Sequence, residues 1–392
     1  MNRRLFLSTA AAGLRTMARA QQPPASVPDA IRNLRPMTGG IQPITTEERR
    51  ARVEKARRLM HENRLDAVLM EGGSSSFYFT GSRQDGVLVL PLRGEITWLS
   101  QAGEDEGKYR TIASALKDRG VATGRVGMEE RVRFEVVDGV SKLAPALEFT
   151  GADPVTAGCR MIKSPAEIAL MQRANDITIA AYKAALGSLR EGMTQRELSA
   201  MIGATYQALG VQGGAMAIFG KYTAFPHGSV QPQQLREGDL VLIDDGCSVE
   251  GYQSDITRTV IFGRPTGRQR EIWGLERRAQ DAALAAAKPG ATCESVDAAA
   301  RKVITDAGFG PGYKVPGLPH RTGHGIGLDG HEWTYLVRGN KTRLQPGMCF
   351  SDEPTIAIYG EFGVRLEDCM YITEDGARMF TKQSPAIDQP FG

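Results

Sequence analysis

The stretch that decides the fold is Leu240-Val-Leu-Ile-Asp-Asp-Gly-Cys-Ser-Val-Glu-Gly-Tyr-Gln-Ser-Asp-Ile-Thr-Arg-Thr-Val-Ile-Phe262, in which an apolar strand runs directly into two aspartates. A glycine-containing turn follows, and then a strand of alternating residues, so the segment predicts an antiparallel hairpin. With the turn centred near 249–250, Asp244 is expected opposite Asp255, give or take one step of register.

Two facing carboxylates need a positive charge between them. Like charges opposite each other destabilise a sheet, and burying them unpaired is worse. Arg258 is near in sequence but should point to the other face from Asp255, because successive side chains alternate. A divalent cation is therefore the better fit. The alternative is a solvated hairpin end that carries unrelated acids.

A second hairpin with acids on both arms is predicted near the C-terminus, where Glu353 and Glu367 are equidistant from Gly360. The apolar Val364 and Leu366 should point away from Glu367. The two carboxylate pairs and the histidines form an oxygen-rich donor set that suits hard or borderline divalent metals, Mn²⁺ first. Two-metal sites of this kind activate a bridging water and polarise a carbonyl group.

Histidines cluster in one stretch, since His320, His324 and His331 are three of the five in the chain. Their spacing would fit one face of a helix. The interleaved glycines each cost a helix about 1 kcal/mol relative to alanine, so a non-helical backbone is expected. The spacing alone leaves open whether all three bind metal or have separate roles.

Length and composition favour a globular protein of two domains, with 392 residues, 41% hydrophobic and 24% charged. The net charge of +3 gives no reason to expect nucleic acid or an anionic membrane as a partner. No apolar run is long enough to form a membrane anchor. The five cysteines are widely spaced and fit neither a disulfide framework nor a zinc finger.

Residues 1–20 differ from the rest of the chain. They begin with the pair Arg3-Arg4, continue with a short apolar run and end at Ala18-Arg-Ala20 before a Gln/Pro-rich stretch. This pattern is typical of a twin-arginine export signal and predicts a periplasmic protein. Arg15 and Arg19 shorten the apolar region, so a basic tail on a cytoplasmic protein is the alternative.

The rest of the chain is predicted to form a linker over 21–45, an N-terminal α/β domain over 46–160 and a second domain over 161–384. Ser164 as N-cap, with Pro165 and Glu167, marks the start of the second domain's first helix. A serine-rich turn is expected at 72–76. Helices are predicted at 46–63, 106–119, 168–190, 194–209, 269–287 and 293–307, and strands at 65–70, 86–92, 96–100 and through 348–373.

Over about residues 45–380 the chain resembles the creatinase, aminopeptidase P and prolidase family. Each motif is weak alone, but the aspartate spacing of eleven and the order of acids and histidine are specific together. The resemblance implies an α/β (α+β) fold in which a creatinase-type N-terminal domain precedes a pita-bread catalytic domain with pseudo-twofold symmetry. The matching motifs are Ile243-Asp-Asp-Gly246, Ser254-Asp-Ile-Thr-Arg-Thr259, Gly323-His-Gly-Ile-Gly327, Glu353-Pro354 and Gly363-Val-Arg-Leu-Glu-Asp368.

The resemblance also implies two divalent metal ions, Mn²⁺ first, with Co²⁺ or Zn²⁺ as alternatives. By position their ligands would be Asp244, Asp255, His324, Glu353 and Glu367. Glu353 would also accept the proton of the activated water, and His227 and His331 would stabilise the oxyanion. His320 and Arg365 are expected to shape the substrate pocket, and Arg365 could equally be a structural partner of the acids.

The implied activity is hydrolysis of the Xaa-Pro bond in dipeptides or at the N-terminus of peptides. Short peptides with proline in second place would be the substrates, and a homodimer or homotetramer the assembly. One alternative is a creatinase-like hydrolase of a small non-peptide C–N bond, and another is a non-catalytic binding module. The intact ligand set disfavours the binding module, and the N-terminal domain disfavours a methionine aminopeptidase. Dipeptidase and aminopeptidase P activities are not separated by these motifs.

Overall fold

A computed structural model of the chain describes residues 28–99 and 106–391. The predicted export signal at 1–20 lies outside the described residues. Residues 28–45, predicted as linker, instead pack against the second domain. Ile31 and Ile44 are buried, and the N–H of Met37 donates to the carbonyl of Leu209 at 2.9 Å. Composition alone did not indicate this packing, because the few apolar side chains of the segment are scattered along it.

The first domain is a mixed five-stranded sheet with helices packed on it, as its alternating pattern predicted. The strand order is β3-β2-β1-β4-β5, in which β1, β4 and β5 are parallel to one another and β2 and β3 pair antiparallel. After the short helix α1 (Asp29–Arg32), the elements are α2 (Thr46–Glu62), β1 (Ala67–Glu71), α3 (Gly73–Thr80), β2 (Val87–Pro91), β3 (Thr97–Leu99), α4 (Glu106–Asp118), β4 (Gly124–Met128), α5 (Phe134–Leu143), β5 (Leu147–Gly151) and α6 (Asp153–Arg160).

The serine-rich turn predicted at 72–76 is wrong, because helix α3 begins at Gly73 and includes all three serines, with Gly72 as its N-cap. Serine is only moderately unfavourable in a helix, and tertiary burial overrides such a preference. Tyr78 and Phe79 are buried against the core, while the hydroxyl groups of Ser74 and Ser75 bond to side chains elsewhere in the chain.

The second domain contains two helices followed by strands, and this order occurs twice, as pseudo-twofold symmetry requires. Among the described residues no helix is both long and apolar enough to cross a membrane. The elements of the first half are α7 (Pro165–Leu186), α8 (Gln195–Ala208), β6 (Gln212–Gly213), β7 (Met216–Phe219), β8 (Leu240–Asp245), β9 (Cys247–Val249), β10 (Tyr252–Gln253) and β11 (Ile256–Ile261). Those of the second half are α9 (Gly267–Ala286), α10 (Cys293–Asp306), β12 (Gly323–Gly325), β13 (Glu332–Leu336), β14 (Cys349–Asp352), β15 (Thr355–Ile358), β16 (Phe362–Arg365), β17 (Asp368–Ile372) and β18 (Ala377–Met379).

Helix α7 begins with the predicted cap. The N–H of Glu167 donates to Ser164 Oγ at 3.2 Å, and the N–H of Ser164 donates to the Glu167 carboxylate at 2.8 Å. Pro165 occupies the first turn, where its missing N–H has no helical partner to lose. This reciprocal capping fixes the start of the helix that packs on strands β9 and β10.

The register of the first acidic hairpin differs from the expected one. Asp244 pairs with Thr257, so Asp255 lies just before strand β11 rather than directly opposite Asp244. The shift follows from the turn, which is centred on Glu250 and Gly251 with φ of 50° and 90°. Both residues have positive φ, as in a two-residue type I′ hairpin turn.

The second acidic hairpin has the predicted register. Thr355 pairs with Arg365, and Asp352 pairs with Asp368, so both ladders are centred on Gly360. Glu353 and Glu367 lie between the two ladders, where the chain passes from one sheet to the other. The neighbouring Val364 and Leu366 are buried in the apolar core, as the alternation of side chains requires.

Candidate metal centre

The five predicted ligand residues converge in the folded chain. One group of potential ligand atoms comes from Asp244, Asp255 and Glu367, a second from His324, Glu353 and Glu367, and within each group all atoms lie within 4.8 Å of one another. The residues come from the end of β8, the position just before β11, the middle of β12 and the two passages beside β14 and β17. Only the pairing of these strands makes them neighbours.

The ring of His324 presents a lone pair to two carboxylates. Its Nδ1 faces the carbonyl of Gly325 at 3.1 Å and must donate there, because a carbonyl oxygen only accepts. Burial lowers the pKa of the ring well below its usual value, and the nearby His331 lowers it further. Nε2 therefore carries no proton. Nε2 nevertheless lies 3.2 Å from Glu353 Oε1 and 3.7 Å from Asp255 Oδ2. The lone pairs of these three atoms repel one another, and a cation bound between them could be coordinated by all three.

The carboxylates around this ring are buried close to one another, with few proton donors for their oxygens. Burial, followed by neighbouring carboxylates, raises the pKa values of Asp255 and Glu367, and burial raises that of Glu353 to about 7. Among the described residues, Glu367 Oε1 is buried without a hydrogen-bond partner. The Thr257 hydroxyl lies 2.6 Å from Glu367 Oε2 and 2.7 Å from Asp244 Oδ1, but it has one proton to donate.

Arg365 is the guanidinium that contacts these acids. Its Nη2 pairs with Asp244, its Nε donates to the Thr257 hydroxyl at 3.1 Å, and its Nη1 donates to the carbonyl of Pro226 at 3.0 Å. The side chain is only 3% exposed, so its donors are directed at the chain itself. These contacts correspond to a structural partner of the acids, which is one of the two roles that the sequence left open.

His320, predicted to face the substrate, uses both ring nitrogens within the chain. Nδ1 donates to the carbonyl of Arg321 at 2.7 Å, and Nε2 accepts from the hydroxyl of Thr355 at 3.0 Å. Burial, followed by the charge of Arg365, lowers the pKa of His320 to about 3, which keeps the ring neutral. The geometry makes His320 a fixed wall of the site rather than a free donor.

His331 lies at the open side of the site. Its ring centroid is 4.0 Å from that of His324, and its nitrogen forms a third potential ligand group with Asp255 and His324. The exposed His227, in the turn after the 3₁₀ helix Gly220–Ala224, is near enough to lower the pKa of His331 further. The structure thus places His331 beside Asp255 and brings His227 close to His331.

Arg321 is a residue of this site that the sequence reasoning missed. Its Nη2 lies 3.2 Å from His331 Nδ1, and after burial it is the main cause of the lowered pKa of His331. It stands directly after His320 in the histidine stretch, so its charge was visible in the sequence. Its direction was not, because an irregular backbone does not tell which way an adjacent side chain points.

Comparisons with known proteins agree with this geometry. Residues 52–162 match the creatinase/prolidase N-terminal domain, and residues 169–374 match metallopeptidase family M24. The Xaa-Pro dipeptidase of Pyrococcus furiosus is 33% identical over 348 residues, which are 84% of this chain and 97% of that protein. Among solved structures, the prolidase from Pyrococcus horikoshii OT3 has a TM-score of 0.74 at 30% identity, covering 85% of this chain and 98% of its own.

The dipeptidase PepE from Mycobacterium ulcerans superimposes with a TM-score of 0.80 at 28% identity, covering 88% of this chain and 99% of its own. These similarities extend over both domains, so the fold is the expected N-terminal creatinase-type domain followed by a pita-bread domain. The family matches and the converging acids and histidine lead to the same conclusion: this chain belongs to metallopeptidase family M24.

Proposed function

We propose that this protein is a metal-dependent peptidase that cleaves the Xaa-Pro bond of dipeptides or of peptide N-termini. The observation that carries the metal-dependent chemistry is the position of His324 Nε2, which lies 3.2 Å from Glu353 Oε1 and 3.7 Å from Asp255 Oδ2 within the converging ligand groups. The preference for proline is supported by relatives that carry the name Xaa-Pro dipeptidase or prolidase over nearly their whole length.

The donor set fits two divalent ions. The residues that would hold them are Asp244, Asp255, His324, Glu353 and Glu367. When bound, such ions lower the pKa of a water molecule and polarise the scissile carbonyl group. An oxygen-rich set with one imidazole favours Mn²⁺, with Co²⁺ or Zn²⁺ as alternatives. The orphaned Glu367 Oε1 and the over-committed Thr257 hydroxyl support the need for added positive charge.

The chain's own groups then have separate roles. Glu353, one of the carboxylates that would hold the ions, would accept the proton of the activated water and pass it to the leaving nitrogen. His331 and His227, at the open side, donate to the oxyanion and to the peptide. His320 lines the site as a neutral ring, and Arg365 holds Asp244 in place.

The decisive experiment compares Xaa-Pro dipeptides, Xaa-Pro tripeptides and Xaa-Ala controls with metal-free protein and with added Mn²⁺, alongside metal analysis. We expect metal-dependent cleavage of a proline series and little cleavage of Xaa-Ala. Preference for dipeptides over tripeptides would identify a dipeptidase, and the reverse an aminopeptidase P. No metal-dependent cleavage of either proline series would contradict the proposal.

Glu367 offers the sharpest test of the ligand set. Glu367→Ala should abolish metal-dependent turnover and lower the bound metal content, because this carboxylate belongs to both ligand groups. Glu361→Ala is the matched control, since Glu361 lies in the same hairpin, is exposed and pairs only loosely with Arg268 at 3.5 Å. Unchanged turnover in Glu367→Ala would remove Glu367 from the ligands.

Three finer proposals concern the whole protein. Export to the periplasm is supported by Arg3-Arg4 at the start of the chain, and cell fractionation of wild type and an Arg3→Lys/Arg4→Lys variant tests it. A homodimer or homotetramer is tested by sedimentation. We also keep the domain division at 46–160 and 161–384, which the two family matches support.

A further inference from the structure

The segment from Gly327 to Glu332, which carries His331, is held by buried charges that the proposed chemistry does not use. His331 itself is exposed, and its ring accepts a hydrogen bond from the Arg321 guanidinium. Its position therefore depends on how the backbone on either side is fixed. Asp329 and Glu332 flank it, and both side chains are turned away into ion pairs.

Glu332 closes the segment on itself. Its Oε1 accepts from the N–H of Leu328 at 2.8 Å and from the N–H of Asp329 at 3.1 Å. The same carboxylate pairs with Arg160, and its Oε2 accepts from Lys163 at 3.0 Å. Burial alone would raise the pKa of Glu332. The positive charges of Lys163 and Arg160 outweigh that effect and lower the pKa to about 2. The carboxylate is therefore charged and fully engaged.

Asp329 connects the segment to the first domain. Its Oδ1 accepts from Ser74 Oγ on α3 at 2.7 Å and lies 3.2 Å from the Arg131 guanidinium. Its Oδ2 pairs with Arg160, the last residue of α6, at 2.6 Å. Arg160 also donates to Ser75 Oγ at 3.1 Å. The segment is thus bonded to three separate parts of the N-terminal half.

The backbone shows how closely these groups are fitted. A Cβ at Gly327 would lie 2.8 Å from Glu332 Oε2 and 2.8 Å from Lys163 Cε. The carbonyl of Gly327 in turn accepts from the N–H of Gln253 in β10, at 2.8 Å. Buried ion pairs are weak contributors to stability when compared with apolar packing, so the network is better explained by the geometry that it imposes.

We propose that Asp329, Glu332 and Arg160 are positioning residues that hold His331 at the reacting centre, and that the N-terminal domain acts in the reaction through this contact. The inference rests on the proposed function, because it requires His331 to contact the substrate. Ser74 and Arg131 extend the same contact across the domain boundary. Loosening it should leave the metal ligands in place and displace the histidine.

The test is a double-mutant cycle of Asp329→Asn and His331→Ala on the metal-loaded, full-length protein. Asp329→Asn should lower kcat/KM for an Xaa-Pro substrate by about 10- to 100-fold, the scale expected for misplacing a reacting group by about 1 Å. In the His331→Ala background the same change should have no further effect. Asp138→Asn is the matched control, because Asp138 pairs with Lys142 at 2.6 Å on the exposed face of α5.

A second readout does not depend on activity. Hydrogen exchange in peptides that span 327–332 should be faster in Asp329→Asn than in wild type, and unchanged in Asp138→Asn. If Asp329→Asn does not fold, Ser74→Ala removes one hydrogen bond from the same carboxylate and should show a smaller effect of the same kind.

The outcomes separate the two proposals. An inactive wild-type protein would contradict the proposed function, while exchange would still report the contact. An active wild type with equal losses from Asp329→Asn in both backgrounds would show a merely structural role and overturn the inference. Wild-type kcat/KM in a folded Asp329→Asn variant would overturn it as well.

Discussion

Single side chains fix the orientation of the carboxylates that would bind a metal. Arg365 pairs with Asp244, and Thr257 contacts Asp244 and Glu367, so these residues orient carboxylate oxygens before any ion is present. Thr257 was missed as a site residue, although it stands two positions after Asp255 and therefore on the same face of the strand. The sequence showed its direction but not the carboxylates that other strands bring to it.

Arg365→Lys should lower kcat/KM by about tenfold or more, because a lysine cannot reproduce a planar fork that bonds Asp244, Thr257 and Pro226 together. Titration of metal-free protein with Mn²⁺ would show whether affinity falls in parallel. Arg343→Lys, which changes an exposed arginine bonded to Gly290, serves as the control. Unaltered kinetics in Arg365→Lys would contradict the orienting role.

Within the elements, the glycines of the histidine stretch explain why β12 can lie between two strands. A Cβ at Gly323 would be 2.1 Å from the carbonyl oxygen of Ser351, and one at Gly325 would be 2.6 Å from that of Glu332. Gly330, by contrast, has nothing within 4 Å. The glycines were expected to exclude a helix, which is confirmed, but their physical role is close strand packing around His324.

Gly323→Ala should lower the free energy of unfolding by about 1–3 kcal/mol, the usual effect of overpacking, and should reduce metal binding because β12 carries His324. Gly330→Ala, in the same stretch, should change stability by less than about 0.5 kcal/mol. Chemical denaturation of both variants provides the comparison. Equal stability of the two would show that strand β12 can move away from Ser351 at no cost.

Across the whole molecule, the site makes stability depend on both metal and pH. Acids with raised pKa values hold protons in the folded protein that they lose when it unfolds, so metal-free stability falls as pH rises towards and through those values. Glu353 loses its contribution between about pH 4.5 and 7, and Asp255 and Glu367, whose pKa values are also raised, act in the same direction. Below about pH 6.5 the lowered pKa values of His320 and His324 act in the opposite direction.

Metal-free protein should therefore be less stable at about pH 8 than at about pH 7, by less than about 1 kcal/mol, because Glu353, with a pKa of about 7, gives up its remaining proton over this interval. Mn²⁺ should stabilise more at the higher pH, because fewer protons must be displaced. Thermal unfolding with a chelator and with Mn²⁺ at both values measures this, and Glu353→Gln should flatten the metal-free dependence. A metal-free midpoint that rises from pH 7 to pH 8 would contradict these protonation states.

The sequence by itself determined the two acidic hairpins and the α/β organisation, because strand alternation and turn chemistry are local properties, and the resemblance of its motifs to a known family pointed to the five ligand positions. Only the tertiary structure decided the register at Asp244, the helix at Gly73–Thr80, the packing of residues 28–45 and the contacts of Arg321 and Asp329. Each of these features depends on contacts between residues that are distant in the chain. The free energy of those contacts exceeds the local conformational preferences from which sequence patterns predict structure.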